Sequence, residues 1–138
     1  MSAKILIVDD NHEFRKMLRS YLESQKLGVE IFEADNGEMG VAKASFVRAD
    51  IILMDISLPR VNGLAAAHQI KSDNPGCDII ILTMFDVEEF KKAAKKIEAT
   101  AFIGKNEIYD ELIPVIKRCL KDRENHQFKN KKVVADEK

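Results

Sequence analysis

Ala49-Asp50-Ile51-Ile52-Leu53-Met54-Asp55 is the stretch on which the fold turns. Its four consecutive large apolar residues are too few for a helix. They fit a strand buried on both faces and ending on a carboxylate. The following segment, Ile56-Ser57-Leu58-Pro59-Arg60-Val61-Asn62-Gly63, carries a proline and a glycine, so the strand stops and the chain turns. Asp55 therefore stands at the carboxyl end of a central strand, where open α/β sheets place their ligands. A mere helix cap is the weaker reading of Asp55, because Asn62 is better placed to cap the segment from Gly63 to Ser72.

Outward from this strand the chain alternates. Lys4–Val8 reads as another fully buried strand, followed by Asn11 as a helix cap and by Phe14, Met17, Leu18, Tyr21 and Leu22 at helical spacing. Gly28 ends that helix. Val29–Ala34 is a more polar strand suited to a sheet edge, and Asp35-Asn36-Gly37 turns into a helix through about Phe46. After the Gly63–Ser72 helix, with Leu64, Ala67 and Ile70 inward, Asn74-Pro75-Gly76 breaks the chain before the apolar strand Asp78–Thr83. Asp86 caps a helix carrying Val87, Phe90, Ala93, Ala94 and Ile97 on one face. A short fifth strand covers Thr100–Ile103. A proline is tolerated only in the first turn of a helix, so Pro114 argues for a late start of the last helix, near Tyr109 or Asp110, with an end near Lys121. Residues 1–121 form the folded domain on this reading. Residues 122–138, of mixed charge, form a polar tail or linker.

Five βα units in succession imply a doubly wound, five-stranded parallel sheet with helices on both faces. The length of 138 residues, with 46% hydrophobic and 33% charged, suits one such domain. A formal net charge of −1 suggests neither nucleic acid nor an anionic membrane as partner. The first apolar run, Ile5-Leu6-Ile7-Val8, is too short for a signal peptide or a membrane span. Cys77 and Cys119, far apart in sequence, read as reduced structural thiols of a cytoplasmic protein.

The strand ends gather the chemistry. Asp9-Asp10 closes the first strand, Asp55 the third and Thr83 the fourth, and Lys105 follows the fifth. If the first and third strands are neighbours, three carboxylates crowd one cleft, and packing alone asks for nothing of the kind. Like charges at close range raise one another's pKa unless a cation neutralises them. Hard oxygen ligands with no His or Cys beside them suit Mg²⁺, which expects phosphate oxygens to complete its shell. A lysine and a hydroxyl across the cleft fit a bound phosphoryl group. Each residue alone has a plainer reading. Thr83 would be a strand-end hydroxyl, Lys105 a solvated loop lysine, Phe102 a core residue, and the first two acids a helix cap. The constellation outweighs these readings together.

Asp9-Asp10, Met54-Asp55, Leu82-Thr83 and Gly104-Lys105, with Pro59 and Gly63 in the loop after Asp55, resemble a response-regulator receiver domain over about Lys4 to Leu120. The resemblance implies a flavodoxin-like sheet of order 2-1-3-4-5. It implies Asp55 as the nucleophile that takes a phosphoryl group from the phosphohistidine of a sensor histidine kinase or phosphotransfer protein. Asp10, Asp55 and the backbone carbonyl of Ser57 would bind Mg²⁺ directly, with Asp9 acting through water. Lys105 would pair with a phosphoryl oxygen. Thr83 would bond another, with Phe102 as the aromatic switch that follows it. The chain would catalyse only its own phosphorylation and dephosphorylation, and so would be no enzyme towards a separate substrate. It would signal through its last helices and strand to an output domain or partner, or to a second copy of itself after phosphorylation.

The chain departs from the family pattern in places. Met84 stands where alanine or glycine is common, and Asn106 where many relatives have proline. Ser57 and Phe85 occupy positions that, in the family, often influence how water reaches the acyl phosphate. These residues bear on rates, not on the reaction itself. A flavin-mononucleotide binder of the same fold is disfavoured, since Asp9-Asp10 would repel an uncompensated phosphate. No G-x-G-x-x-G or G-x-x-x-x-G-K-[ST] occurs, and Ser57 replaces the second acid of aspartyl phosphatases. The surviving alternative is a degenerate receiver acting as a phosphorylation-independent interaction module. Leu82 to Glu89 resembles receivers joined to helix-turn-helix domains, yet these residues hold no such domain, and the chain alone is expected to bind no nucleic acid.

Overall fold

The computed structural model describes residues 2–56, 62–84 and 88–136, with 126–136 described by backbone alone. The elements are β1 (Lys4–Val8), α1 (His12–Ser24), β2 (Glu30–Ala34), α2 (Gly37–Val47), β3 (Ile51–Asp55), α3 (Gly63–Asp73), β4 (Asp78–Thr83), α4 (Glu88–Lys96), β5 (Ala101–Gly104) and α5 (Ile108–Asp136). A short 3₁₀ turn, Lys105–Glu107, precedes α5. The five strands are parallel in the order β2-β1-β3-β4-β5. The winding reverses between β1 and β3, and Val8 pairs with Met54 there.

Alternation within the central strands builds two cores. Leu6, Val8, Ile52, Met54, Ile79 and Ile81 face α2, α3 and α4. Ile5, Ile7, Ile51, Leu53, Ile80 and Leu82 face Leu18 and Leu22 of α1 and Leu112 and Ile116 of α5. This double burial is why β1, β3 and β4 are continuous apolar runs, while edge strand β2 keeps the charged Glu30 and Glu33. Asparagine starts three helices. The side-chain oxygens of Asn11, Asn36 and Asn62 accept the N–H of Phe14, Met39 and Ala65, at 2.9, 2.8 and 2.8 Å. Each cap satisfies one of the N–H groups a helix start leaves unpaired.

The last helix departs from expectation at both ends. It begins at Ile108, so Pro114 lies inside it rather than in its first turn. Pro114 is solvent-exposed, so the Asp110 carbonyl that a helical N–H would otherwise bond can turn to water. The helix also continues past Lys121 to Asp136. Arg123 holds this extension against the amino-terminal edge of the sheet. Its Nη2 donates to the carbonyls of Asp50 and Gly76, each at 2.7 Å, and to Asp78 Oδ2 at 3.2 Å. The expected cap Asp86 and the helix residue Val87 lie outside the described residues.

Cys77 and Cys119 are both buried and free. Burial pushes both thiols up, and the charge and hydrogen bond of Asp78 help to bring Cys119 to about 11. Thiols so protonated are inert packing groups, as expected. Among the described residues, no helix is long and apolar enough to cross a membrane.

Candidate active site

Asp9, Asp55 and Thr83 are the buried polar side chains among the described residues, at 1%, 2% and 0% exposure. All three stand at the carboxyl ends of adjacent central strands. The order β1-β3-β4 brings them together, and it places Gly104 beside Thr83 so that Lys105 enters the same cleft. Asp10, exposed, completes the cluster: Asp9, Asp10 and Asp55 each offer a carboxylate oxygen within 4.8 Å of the others.

Lys105 is the counter-charge. Its Nζ lies 2.7 Å from Asp9 Oδ2 and 3.6 Å from Asp55 Oδ2. It also sits over the ring of Phe14, 4.1 Å from the ring centre. The other Asp9 oxygen accepts the N–H of Asn11 at 2.8 Å. Arg15 Nη1 donates to the Asp9 backbone carbonyl at 2.7 Å, while Arg15 Nε bonds Glu33 of β2 at 3.0 Å. Burial pushes the Asp9 carboxyl up from its ordinary range. Lys105 and the Asn11 amide pull against that, and the charge of Asp55 adds to the upward push. Among the described residues, three carboxylates face the one ammonium of Lys105, a surplus of negative charge that lies all on oxygen, with no His or Cys in the group. A hard divalent cation fits that donor set and that surplus.

Gly63, the first residue of α3, makes the close packing possible. A Cβ there would run into the Asp55 carbonyl oxygen and the Ile56 Cα. Only glycine lets the helix start press against the strand end that carries Asp55.

The residues expected at the site are thus partly gathered. Asp9, Asp10, Asp55 and Lys105 converge, with Thr83 on the neighbouring strand end. Phe102, opposite Ile81 in the sheet, is outside the acid cluster, partly buried against the core on the α4 side. Ser57 and Phe85, like Pro59, lie outside the described residues. The sequence places Phe14 only on a helix face and gives no reading of Arg15; nothing in their spacing announces contact with Lys105 or Asp9.

Met84 is 71% exposed, so it is not part of the sheet–helix interface. It lines a groove of about 450 Å³ with Lys91, Phe102, Gly104, Asn106, Glu107 and Glu111. Met84→Ala is therefore expected to leave the melting temperature unchanged. If the thioether covers the approach to a phosphorylated Asp55, the variant takes up acetyl phosphate and loses the phosphoryl group to water faster than wild type. Unchanged rates beside an unchanged melt would confine Met84 to the groove and remove it from phosphoryl access.

Residues 5–117 match the model of the response regulator receiver domain. A cyclic di-GMP phosphodiesterase of Thermotoga maritima is 32% identical over 126 residues, which are 91% of this chain and 33% of that protein. Response regulator protein VraR of Staphylococcus aureus is 36% identical over 85 residues, 62% of this chain and 41% of VraR. The chain thus spans less than half the length of these two relatives. Among solved structures, a CheY-like receiver domain protein of Methanospirillum hungatei superposes with a TM-score of 0.84 at 27% identity, covering 91% of this chain and 99% of that one. Response regulator TrrA of Thermotoga maritima, solved with Mg²⁺ and BeF, superposes with a TM-score of 0.76 at 29% identity, covering 85% of this chain and 98% of that one.

Proposed function

Because the chain belongs to the response-regulator receiver family, we propose that it accepts a phosphoryl group from a kinase phosphohistidine onto Asp55 and so switches a partner surface. The observation that carries this reading is the cleft itself. Two buried aspartates and an exposed third converge at the strand ends, with the Lys105 ammonium 2.7 and 3.6 Å from the buried pair. A packed core has no use for such a surplus of charge.

In the proposed reaction an Asp55 oxygen attacks phosphorus in line, the P–N bond of the phosphohistidine breaks, and its electron pair returns to the imidazole. Lys105, already inside the cleft, neutralises an incoming phosphoryl oxygen. Thr83, beside it, donates its hydroxyl to another. Asp10, Asp55 and the Ser57 carbonyl would hold Mg²⁺, with Asp9 through water, and the metal when bound supplies charge neutralisation and alignment. The TrrA structure, solved with Mg²⁺ and BeF, supports carrying that chemistry over. The chain's catalysis is then confined to its own phosphorylation and dephosphorylation. Its place is the cytoplasm, its upstream partner a sensor histidine kinase or phosphotransfer protein. Its output runs through α4, β5 and α5 to a further domain, a separate partner or a second phosphorylated copy.

The test is phosphate uptake from acetyl phosphate or a kinase, with and without Mg²⁺. An acid-labile, hydroxylamine-sensitive phosphate that EDTA prevents is expected. Its absence under both donors would leave an interaction module that needs no phosphorylation. Within the same experiment, Asp10→Ala should weaken Mg²⁺ binding about ten-fold or more, whereas Ser57→Ala, which keeps its backbone carbonyl, should change it little. Equal losses in a titration would mean that the ligands are assigned wrongly.

A further inference from the structure

We infer that Phe14 is a positioning residue for Lys105: its ring face holds the ammonium in the cleft when Asp9 is drawn to other work. The inference rests on the phosphoryl-acceptor reading of the site and adds to it a group that the acids and the lysine do not include. Phe14 stands in the first turn of α1, three residues after the Asn11 cap, and packs partly buried against the α1–α5 core. That alone would make it one more residue of the helix's apolar stripe. Its contact with Lys105 sets it apart. The Nζ lies 4.1 Å from the ring centre, and the lysine side chain is only 12% exposed. A cation over an aromatic face is attracted by the ring quadrupole, and the attraction grows as water is excluded.

The chemistry gives this contact a purpose. The short partner of Lys105 is Asp9 Oδ2, at 2.7 Å, and Asp9 belongs to the acid cluster that a cation would engage. A lysine held only by that carboxylate would lose its anchor whenever the carboxylate turned to a metal or its waters. Released, it would have the length and the freedom to swing out into solvent. The Phe14 ring carries no charge, binds no metal and competes with no phosphoryl oxygen. It therefore keeps the ammonium near the position from which Lys105 reaches both Asp55 and an incoming phosphoryl group. The cap sets the geometry. Asn11 fixes the start of α1 by accepting the Phe14 N–H, while Asp9 Oδ1 accepts the Asn11 N–H, so ring and acid are positioned by one turn of chain.

Phe14→Leu and Phe14→Tyr separate this role from core packing, with beryllofluoride and Mg²⁺ as the phosphoryl probe. Leu preserves an apolar side chain but removes the ring face, whereas Tyr retains it. Phe14→Leu is expected to weaken beryllofluoride binding about five-fold, the factor a cation–π contact of ordinary strength supplies, and to leave Mg²⁺ affinity alone. Phe14→Tyr should bind like wild type. Equal loss in both variants, or wild-type binding by Phe14→Leu with only a lowered melting point, would overturn the assignment. A second measurement does not depend on the phosphoryl reading. The ε-methylene protons of Lys105 should be shifted upfield by the ring current in wild type and Phe14→Tyr, and return to ordinary values in Phe14→Leu. Ordinary values in wild type would show that the contact is not kept in solution. Wild-type protein that shows the ring-current shift yet binds no beryllofluoride would instead refute the phosphoryl-acceptor function and leave the Lys105–Phe14 contact standing.

Discussion

Asp55→Asn is expected to abolish Mg²⁺-dependent phosphorylation while leaving the fold intact. An amide of the same shape fills the same space at the end of β3, so packing against β1 and β4 is preserved. The amide nitrogen and oxygen are both far poorer nucleophiles than a carboxylate oxygen, and without a nucleophile no acyl phosphate forms. Electrostatics works in the variant's favour, because it removes one of three clustered negative charges while Lys105 keeps Asp9 as its 2.7 Å partner. The melting temperature should therefore stay level or rise by a few degrees, a shift of the size that relief of about 1 kcal/mol of repulsion produces. Mass spectrometry of protein incubated with acetyl phosphate and Mg²⁺ reads the result directly. A hydroxylamine-sensitive phosphate persisting in Asp55→Asn would falsify the assignment of the acceptor.

Gly63→Ala is expected to damage the site without touching a reacting atom. The added methyl would meet backbone, the Asp55 carbonyl oxygen and the Ile56 Cα, not the yielding end of a side chain. Either α3 moves away from β3 or the end of β3 shifts. Overpacking of this kind costs about 1–3 kcal/mol, and a backbone neighbour argues for the upper end. The helix cannot easily move, since Ala66, Ala67 and Ile70 on its next two turns are buried against the sheet. Asp55 should therefore leave its place among the acids, with phosphoryl uptake falling at least about ten-fold, as displacements near 1 Å do for in-line reactions. Denaturant melts and uptake rates measured together check both halves. A variant of wild-type stability and rate would mean that the loop after Asp55 absorbs the methyl, and that Gly63 is not what presses α3 onto the strand.

Some features of this protein are written in its sequence and some are not, and the division follows the range of the interaction. Double burial writes itself into sequence, so β1, β3 and β4 stand out as apolar runs, and β2 as an edge by its glutamates. Local hydrogen bonds do the same, and Asn11 and Asn62 start their helices where the residue types say they should. The chemical side chains followed, because a residue just past an apolar run must lie at a strand end. In this way Asp9, Asp10, Asp55, Thr83 and Lys105 can each be placed at a strand end, and their resemblance to the receiver pattern joins them as candidates for one site.

Tertiary structure decided the rest. Lys105 and Asp9 lie 96 residues apart, and no periodicity encodes that they meet at 2.7 Å; the strand order does, by setting β1, β3 and β4 side by side. The end of α5 escaped for the same reason. Its apolar repeat fades near Lys121, but Arg123 is held by carbonyls and carboxylates 45 to 73 residues away, which local pattern cannot foresee. For Met84 the sequence points to bulk beside the phosphoryl site, with the sheet–helix interface as the competing place, and its 71% exposure removes the interface. Local chain chemistry thus determined which elements form and which residues cap them. Contacts between elements determined how far the last helix runs, which ring stands under the lysine and why the residue after Asn62 has to be glycine.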